Sequence, residues 1–299
     1  MIDVIVSIVC VIIIVCIWVM LYDSNRFVVR THAITDERIR KPLRAVVLAD
    51  LHNKCYGKEN VRLLEAVREC SPDCIFIAGD MLTAKPGKSF ETALHVLEEL
   101  AKEYPLYYGN GNHEHRLKLY PRSYGDMAEQ YEAALGEAGI ERMVNSHISL
   151  QSHGIVIYGS EIDKFYYKRF KVQYMEPDYL KQLLGTPDPN AYNVLIAHNP
   201  DYFPYYAEWG ADLTISGHVH GGIVRVPFWG KGIASPNIRL FPRYDGGLFH
   251  EKGKTMLLSR GLGIHTIPFR LFNPGELWVV DFKPGEDSSG SMDDTIQDR

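Results

Sequence analysis

Eighteen residues from Val4 to Leu21, VIVSIVCVIIIVCIWVML, include one clearly polar side chain, Ser7, and no charge. At about 1.5 Å per residue they make a helix of about 27 Å, close to the ~30 Å hydrocarbon core of a bilayer. Trp18 and Tyr22 lie toward one end, where amphipathic aromatic rings suit the lipid–water interface. A cleaved signal peptide wants a basic start and a small-residue cleavage site, and neither Met1-Ile2-Asp3 nor Tyr22-Asp23-Ser24-Asn25 offers one. Residues 1–25 are therefore predicted to be an uncleaved transmembrane anchor.

Past residue 42, short apolar runs alternate with stretches at helical spacing. Leu43–Ala49, Cys74–Ala78 and Pro105–Tyr108 read as strands, and Asn60–Cys70, Ser89–Glu103 and Gly125–Ala138 as helices. Further strands are expected at Ile148–Leu150, Ile155–Ser160, Asn193–Ala197, Leu213–Ser216, Ile223–Val226, Thr255–Ser259 and Leu277–Phe282. Helices are expected near Pro177–Leu184 and Asp201–Trp209. No repeat or linker splits the stretch 43–283, so it reads as one α/β domain, a mixed sheet system covered by helices.

Charge sharpens the boundaries. Residues 26–42 carry Arg26, Arg30, Arg38, Arg40 and Lys41 against Asp36 and Glu37, and read as a basic juxtamembrane linker. With no Lys or Arg ahead of the anchor, the positive-inside rule favours a cell-membrane protein whose catalytic domain faces the cytoplasm. Residues 284–299 hold five acidic residues and one arginine, so most of the net charge of -5 lies in a tail expected to be disordered. A pI near 6.2 argues against a nucleic-acid partner. Cys55, Cys70 and Cys74 fit no metal-finger pattern and read as ordinary thiols. No feature points to a protein partner.

Twelve histidines outnumber five cysteines, and several fall just after apolar runs. The polar clusters are Asp50-Leu51-His52, Gly79-Asp80, Gly111-Asn112-His113-Glu114, His198-Asn199-Pro200 and Gly217-His218-Val219-His220. Sites in α/β sheets form at the carboxyl ends of strands, so the five clusters are placed to converge. Asp50 and His52 share a face if their segment is extended, and so do His218 and His220. Asn110-Gly111 also reads as a hairpin turn. Singly each cluster has an ordinary structural reading, although paired histidines such as His218 and His220 readily bind transition metals; together, in this order, the clusters point away from a purely structural role.

This five-block series resembles the signature of the calcineurin-like metallophosphoesterases, over roughly Leu43 to Phe282. His220-Gly221-Gly222, Ser259-Arg260-Gly261-Leu262-Gly263 and Pro268-Phe269-Arg270 further resemble the membrane-associated YkuE/YaeI-type branch, with Ile223 standing where that branch usually has Gln. The resemblance implies a four-layer α/β/β/α sandwich and a dinuclear centre. Asp50, His52, Asp80 and His220 would hold one metal, and Asp80, Asn112, His198 and His218 the second, with Asp80 bridging. Mn, Zn or Fe suits such donors. A hydroxide held between the metals would attack a phosphoester or pyrophosphate bond, and His113 would contact the phosphoryl oxygen or protonate the leaving group. Glu114 would orient a histidine through its other ring nitrogen. The anchor suggests a phosphorylated small-molecule or lipid-linked substrate at the membrane. The alternative is a membrane-tethered metal-binding or scaffold protein using the same fold without turnover.

Overall fold

The computed structural model describes residues 1–168, 171–227, 229–233, 240–264 and 269–285. The chain begins with α1 (Ile2–Asp23), long and apolar enough to cross a membrane, and none of its apolar window is buried in the protein. Then follow β1 (Phe27–Asp36), β2 (Leu43–Leu48), α2 (Val61–Glu69), β3 (Cys74–Ile77), α3 (Glu91–Ala101) and β4 (Leu106–Gly109). Next come α4 (Asn112–Leu119), α5 (Pro121–Tyr124), α6 (Met127–Glu137), β5 (Arg142–Met143), β6 (Ser146–Leu150) and β7 (Ile155–Ser160). The remainder is α7 (Tyr179–Leu184), β8 (Tyr192–Ala197), α8 (Phe203–Trp209), β9 (Leu213–Ser216), β10 (Gly247–Glu251), β11 (Lys254–Leu258) and β12 (Gly275–Pro284).

Two six-stranded sheets result, in the orders β1-β12-β2-β3-β4-β5 and β10-β11-β9-β8-β7-β6. From β2 to β5 the first sheet is parallel; in the second, β7, β8, β9 and β11 run parallel. The central strands are buried on both faces and so read as unbroken apolar runs. On β2, Ala45 and Val47 enter the core between the sheets while Val46 and Leu48 face α2 and α3. On β8, Val194 and Ile196 enter the shared core while Leu195 and Ala197 meet α7 and α8. These alternating faces stack helix, sheet, sheet and helix, the expected four layers.

The stretch expected as a linker is instead largely β1, paired in parallel with β12 from Phe27↔Gly275 to Asp36↔Pro284. Its half-exposed edge position and basic side chains mask the alternation. Four of the cations that follow α1 in the sequence are also ion-paired: Arg26 with Asp23, Arg30 with Glu276, Arg38 with Asp36 and Asp212, and Arg44 with Asp281. Asn112 starts a helix rather than following a hairpin turn, and Ile223–Val226 forms only isolated bridges, Val224 with Leu271 and Arg225 with Gly232. In the expected acidic tail, residues 286–299 lie outside the described residues.

Candidate metal centre

The ends of β2, β3, β4, β8 and β9 deliver Asp50, His52, Asp80, Asn112, His113, His198, His218 and His220 to one place. They are not aligned by extended backbone. Asp50, His52, Asp80, His218 and His220 all adopt positive φ, between 49° and 77°. Left-handed geometry at non-glycine residues costs about 1–3 kcal/mol each and is retained where surrounding structure enforces it. Here tight turns, not strand alternation, bring the side chains together.

Two glycines allow the loops to meet. A Cβ on Gly111 would overlap the Asp80 carboxylate and its backbone nitrogen, and one on Gly217 would come 2.5 Å from Asp50 Oδ2. The close approach is used for hydrogen bonding. The His218 N–H donates to both Asp50 oxygens at 3.0 Å, and the His113 N–H, at the start of α4, donates to Asp80 Oδ1 at 2.8 Å.

The remaining donor atoms converge. Three groups have ligand atoms within 4.8 Å of one another: Asp50, His52 and His220; His52, Asp80 and His113; and Asp80, His198 and His218. His52 Nε2 lies 3.3 Å from His220 Nε2, and His198 Nε2 lies 3.0 Å from Asp80 Oδ2 and 3.8 Å from Asp50 Oδ1. All but Asn112 and His218 are at least nine-tenths buried. Backbone carbonyls set the rings. His198 Nδ1 donates to Ala78 O at 2.6 Å and His52 Nδ1 to Leu82 O at 3.3 Å, which turns each Nε2 lone pair toward the carboxylates. His113 is held oppositely: its Nδ1 accepts the Ala84 N–H at 2.8 Å, so the neutral ring carries its hydrogen on Nε2.

The cluster is electrostatically strained. Burial pushes the Asp50 carboxyl up to about 7 even though His198 opposes it. Burial would raise Asp80 too, but the His198, His113 and His52 rings hold it well below the usual carboxylate range. Burial disfavours a charged His198, yet Asp80 and Asp50 push it up to about 10. Two buried carboxylates thus demand positive charge, which either a proton on His198 or a cation can supply. Asn112 Oδ1 is buried with no hydrogen-bond partner. A buried acceptor left this way fits a coordinating oxygen, and the whole donor set fits transition-metal ions.

Glu114 does not touch a histidine ring. Its Oε2 accepts the N–H groups of Asp80 at 2.8 Å and Gly111 at 3.0 Å, and its Oε1 those of Met81 at 2.8 Å and the Tyr108 hydroxyl at 2.9 Å. It ties the Asp80 turn to the α4 turn. The sequence also gave no role to Arg270. Its buried guanidinium donates to the carbonyls of Arg260, Gly261, Gly263 and Asn273. That strip is stitched to the Asp50 turn by the Leu262 and Gly263 N–H groups, which bond Ala49 O and Asp50 O. Its distinguishing sequence signal is the Ser259–Gly263 and Phe269-Arg270 pattern itself.

Other polar and aromatic residues next to the cluster make structural contacts. Asn199 caps a turn through Asp201 N, and Asn53 bonds Ser89 O. Tyr166 packs on Tyr179 and Tyr202, while the Tyr167 ring lies 5.5 Å from His218. Arg169, Phe170, His265 and Pro268 lie outside the described residues.

Comparison with known proteins identifies the family. Residues 43–222 match the family model described as calcineurin-like phosphoesterase. The chain is 26% identical to the metallophosphoesterase Cj0846 of Campylobacter jejuni over 82% of its own length and 60% of that protein's. It is 24% identical to the metallophosphoesterase YkuE of Bacillus subtilis, covering 73% of this chain and 70% of YkuE. It is also 24% identical to the phosphodiesterase YaeI of Escherichia coli, covering 74% of this chain and 76% of YaeI.

Proposed function

The chain belongs to the calcineurin-like phosphoesterases and is a phosphoester hydrolase, and on that footing we propose that it is a membrane-anchored, dinuclear metal-dependent phosphodiesterase. Asp50, His52, Asp80 and His220 would hold one ion, and Asp80, Asn112, His198 and His218 the other. The orphaned Asn112 Oδ1, one residue before the His113 N–H that bonds Asp80, is the observation that carries this assignment. A pair of Mn, Zn or Fe ions supplies an activated water and charge neutralisation at the phosphoryl group.

The chain's own residues do the rest. His113, with its hydrogen on Nε2, donates to the phosphoryl or leaving-group oxygen. Asp80 is held by Glu114 and the α4 N-terminus so that its second oxygen faces His198. The domain hangs directly from α1, so a phosphodiester or pyrophosphate in the membrane, presented near the site, is the favoured substrate class. YaeI, named a phosphodiesterase, supports the diester preference.

The test is hydrolysis of a soluble aryl phosphodiester by the full chain in detergent, supplied with Mn or Zn. His113→Ala should lower kcat by about 10²–10⁴ without loss of bound metal, and Asp80→Ala should abolish turnover and metal retention together. Unchanged rates in either variant would overturn the assignment.

A further inference from the structure

Past Tyr22, three of the four most exposed large apolar side chains among the described residues are Leu240 at 68%, Trp229 at 66% and Phe241 at 58%. All three fall between positions 229 and 241. Trp229 tops a tight turn in which the Val226 N–H bonds Lys231 O at 2.9 Å and the Gly230 N–H bonds Val226 O at 3.0 Å. The Phe241 N–H bonds Ile233 O at 2.8 Å, and the two aromatic rings lie 6.4 Å apart. The buried Arg225 guanidinium fixes the base through the carbonyls of Gly221, Gly230 and Asp245. An apolar tip therefore stands on a well-bonded stem.

That stem adjoins the end of α1. The Arg225 N–H donates to Leu271 O at 3.0 Å. Leu271 lies between Arg270, whose N–H bonds Ser24 Oγ at 2.9 Å, and Asn273, whose N–H bonds the buried Asp23 Oδ2 at 3.0 Å. Trp229 lies four positions beyond Arg225, about 13 Å even when fully extended. The same stem leads out of the metal centre, because it follows His218 and His220 within a few residues, and Asn273 Nδ2 bonds His220 O at 2.7 Å.

Exposed apolar clusters mark interaction surfaces, and Trp is a residue of the lipid interface. We infer that the loop tip is a second membrane contact, seating Trp229, Leu240 and Phe241 in a phospholipid bilayer beside α1. The inference rests on reading α1 as a membrane span; continuity with that span is what selects lipid over a protein partner.

The chain has four tryptophans, Trp18, Trp209, Trp229 and Trp278, so emission can be assigned by substitution. The full-length protein is reconstituted in phosphatidylcholine–phosphatidylglycerol vesicles with or without brominated acyl chains. Emission of W18F should fall in the brominated vesicles, and W18F/W229F should lose that response while keeping metal-dependent hydrolysis of a soluble aryl phosphodiester. Equal responses of the two variants would overturn the inference, including the case in which a second protein copy covers the loop. The difference between wild type and W18F reports on Trp18. Quenched Trp18 with unquenched Trp229 defeats the loop contact alone, whereas unquenched Trp18 defeats the anchor and this inference with it.

Discussion

Glu114→Gln tests whether the geometry of the metal centre is set by a carboxylate that has no direct part in the chemistry. The native side chain is fully buried and accepts four hydrogen bonds, three from backbone N–H groups and one from Tyr108. Glutamine keeps one acceptor oxygen and turns the other into a donor. If the new amide nitrogen faces Asp80 and Gly111, two donors oppose it. If it flips, it opposes the Met81 N–H, while the Tyr108 hydroxyl can rotate to accept. The flipped arrangement is the cheaper one. It orphans one buried N–H, at about 1–3 kcal/mol, and weakens the surviving bonds by removing their charge, for a total of about 2–4 kcal/mol. For a domain of this size the melting temperature should fall by about 5–15 °C. Because the lost bonds orient the turns of Asp80 and α4, kcat on a soluble aryl phosphodiester should fall more than KM changes. Urea unfolding of the metal-loaded full chain and steady-state kinetics measure both effects. A variant within about 0.5 kcal/mol of wild type, with unchanged kcat, would refute the positioning argument.

Two further perturbations probe the same design. Arg270→Met leaves the carbonyls of Arg260, Gly261 and Gly263 without their shared donor. It should cost about 3 kcal/mol in urea unfolding and lower activity, because that strip is bonded to the Asp50 turn; a stable, fully active variant would show that the strip needs no internal donor. Stripping metal with a chelator should lower the melting temperature, since saturation at 100 times Kd contributes about 2.7 kcal/mol. Adding back Mn or Zn should restore it, and a melting curve indifferent to both would count against a resident metal.

How far the sequence foretells the structure depends on the kind of partner each residue has. The central strands were legible because burial on both faces leaves a continuous apolar run, as in Cys74–Ile77 and Tyr192–Ala197. The polar clusters were legible because each follows such a run, and their chemistry is in the side chains. β1 was not legible: Phe27–Asp36 is half exposed, and its ladder partner, β12, begins at Gly275. The backbone partners were not legible either. The carbonyls of Ala78 and Leu82 fix His198 and His52, the N–H of Ala84 fixes His113, and a carbonyl or amide carries no residue identity.

The reading of Glu114 shows why this matters. A carboxylate next to a histidine suggests an imidazole-orienting acid, but here backbone groups orient the imidazoles, which frees the acid to hold backbone. With positive φ at five of the cluster's residues, the turns themselves are the strained element, and a four-coordinate acceptor placed under two of them offsets part of that strain. The same economy extends outward: Asn273 bonds the His220 carbonyl on one side and Asp23 at the end of α1 on the other. A displacement of α1 is therefore felt one hydrogen bond away from the clustered histidines and carboxylates, which makes this helix part of the site's scaffolding.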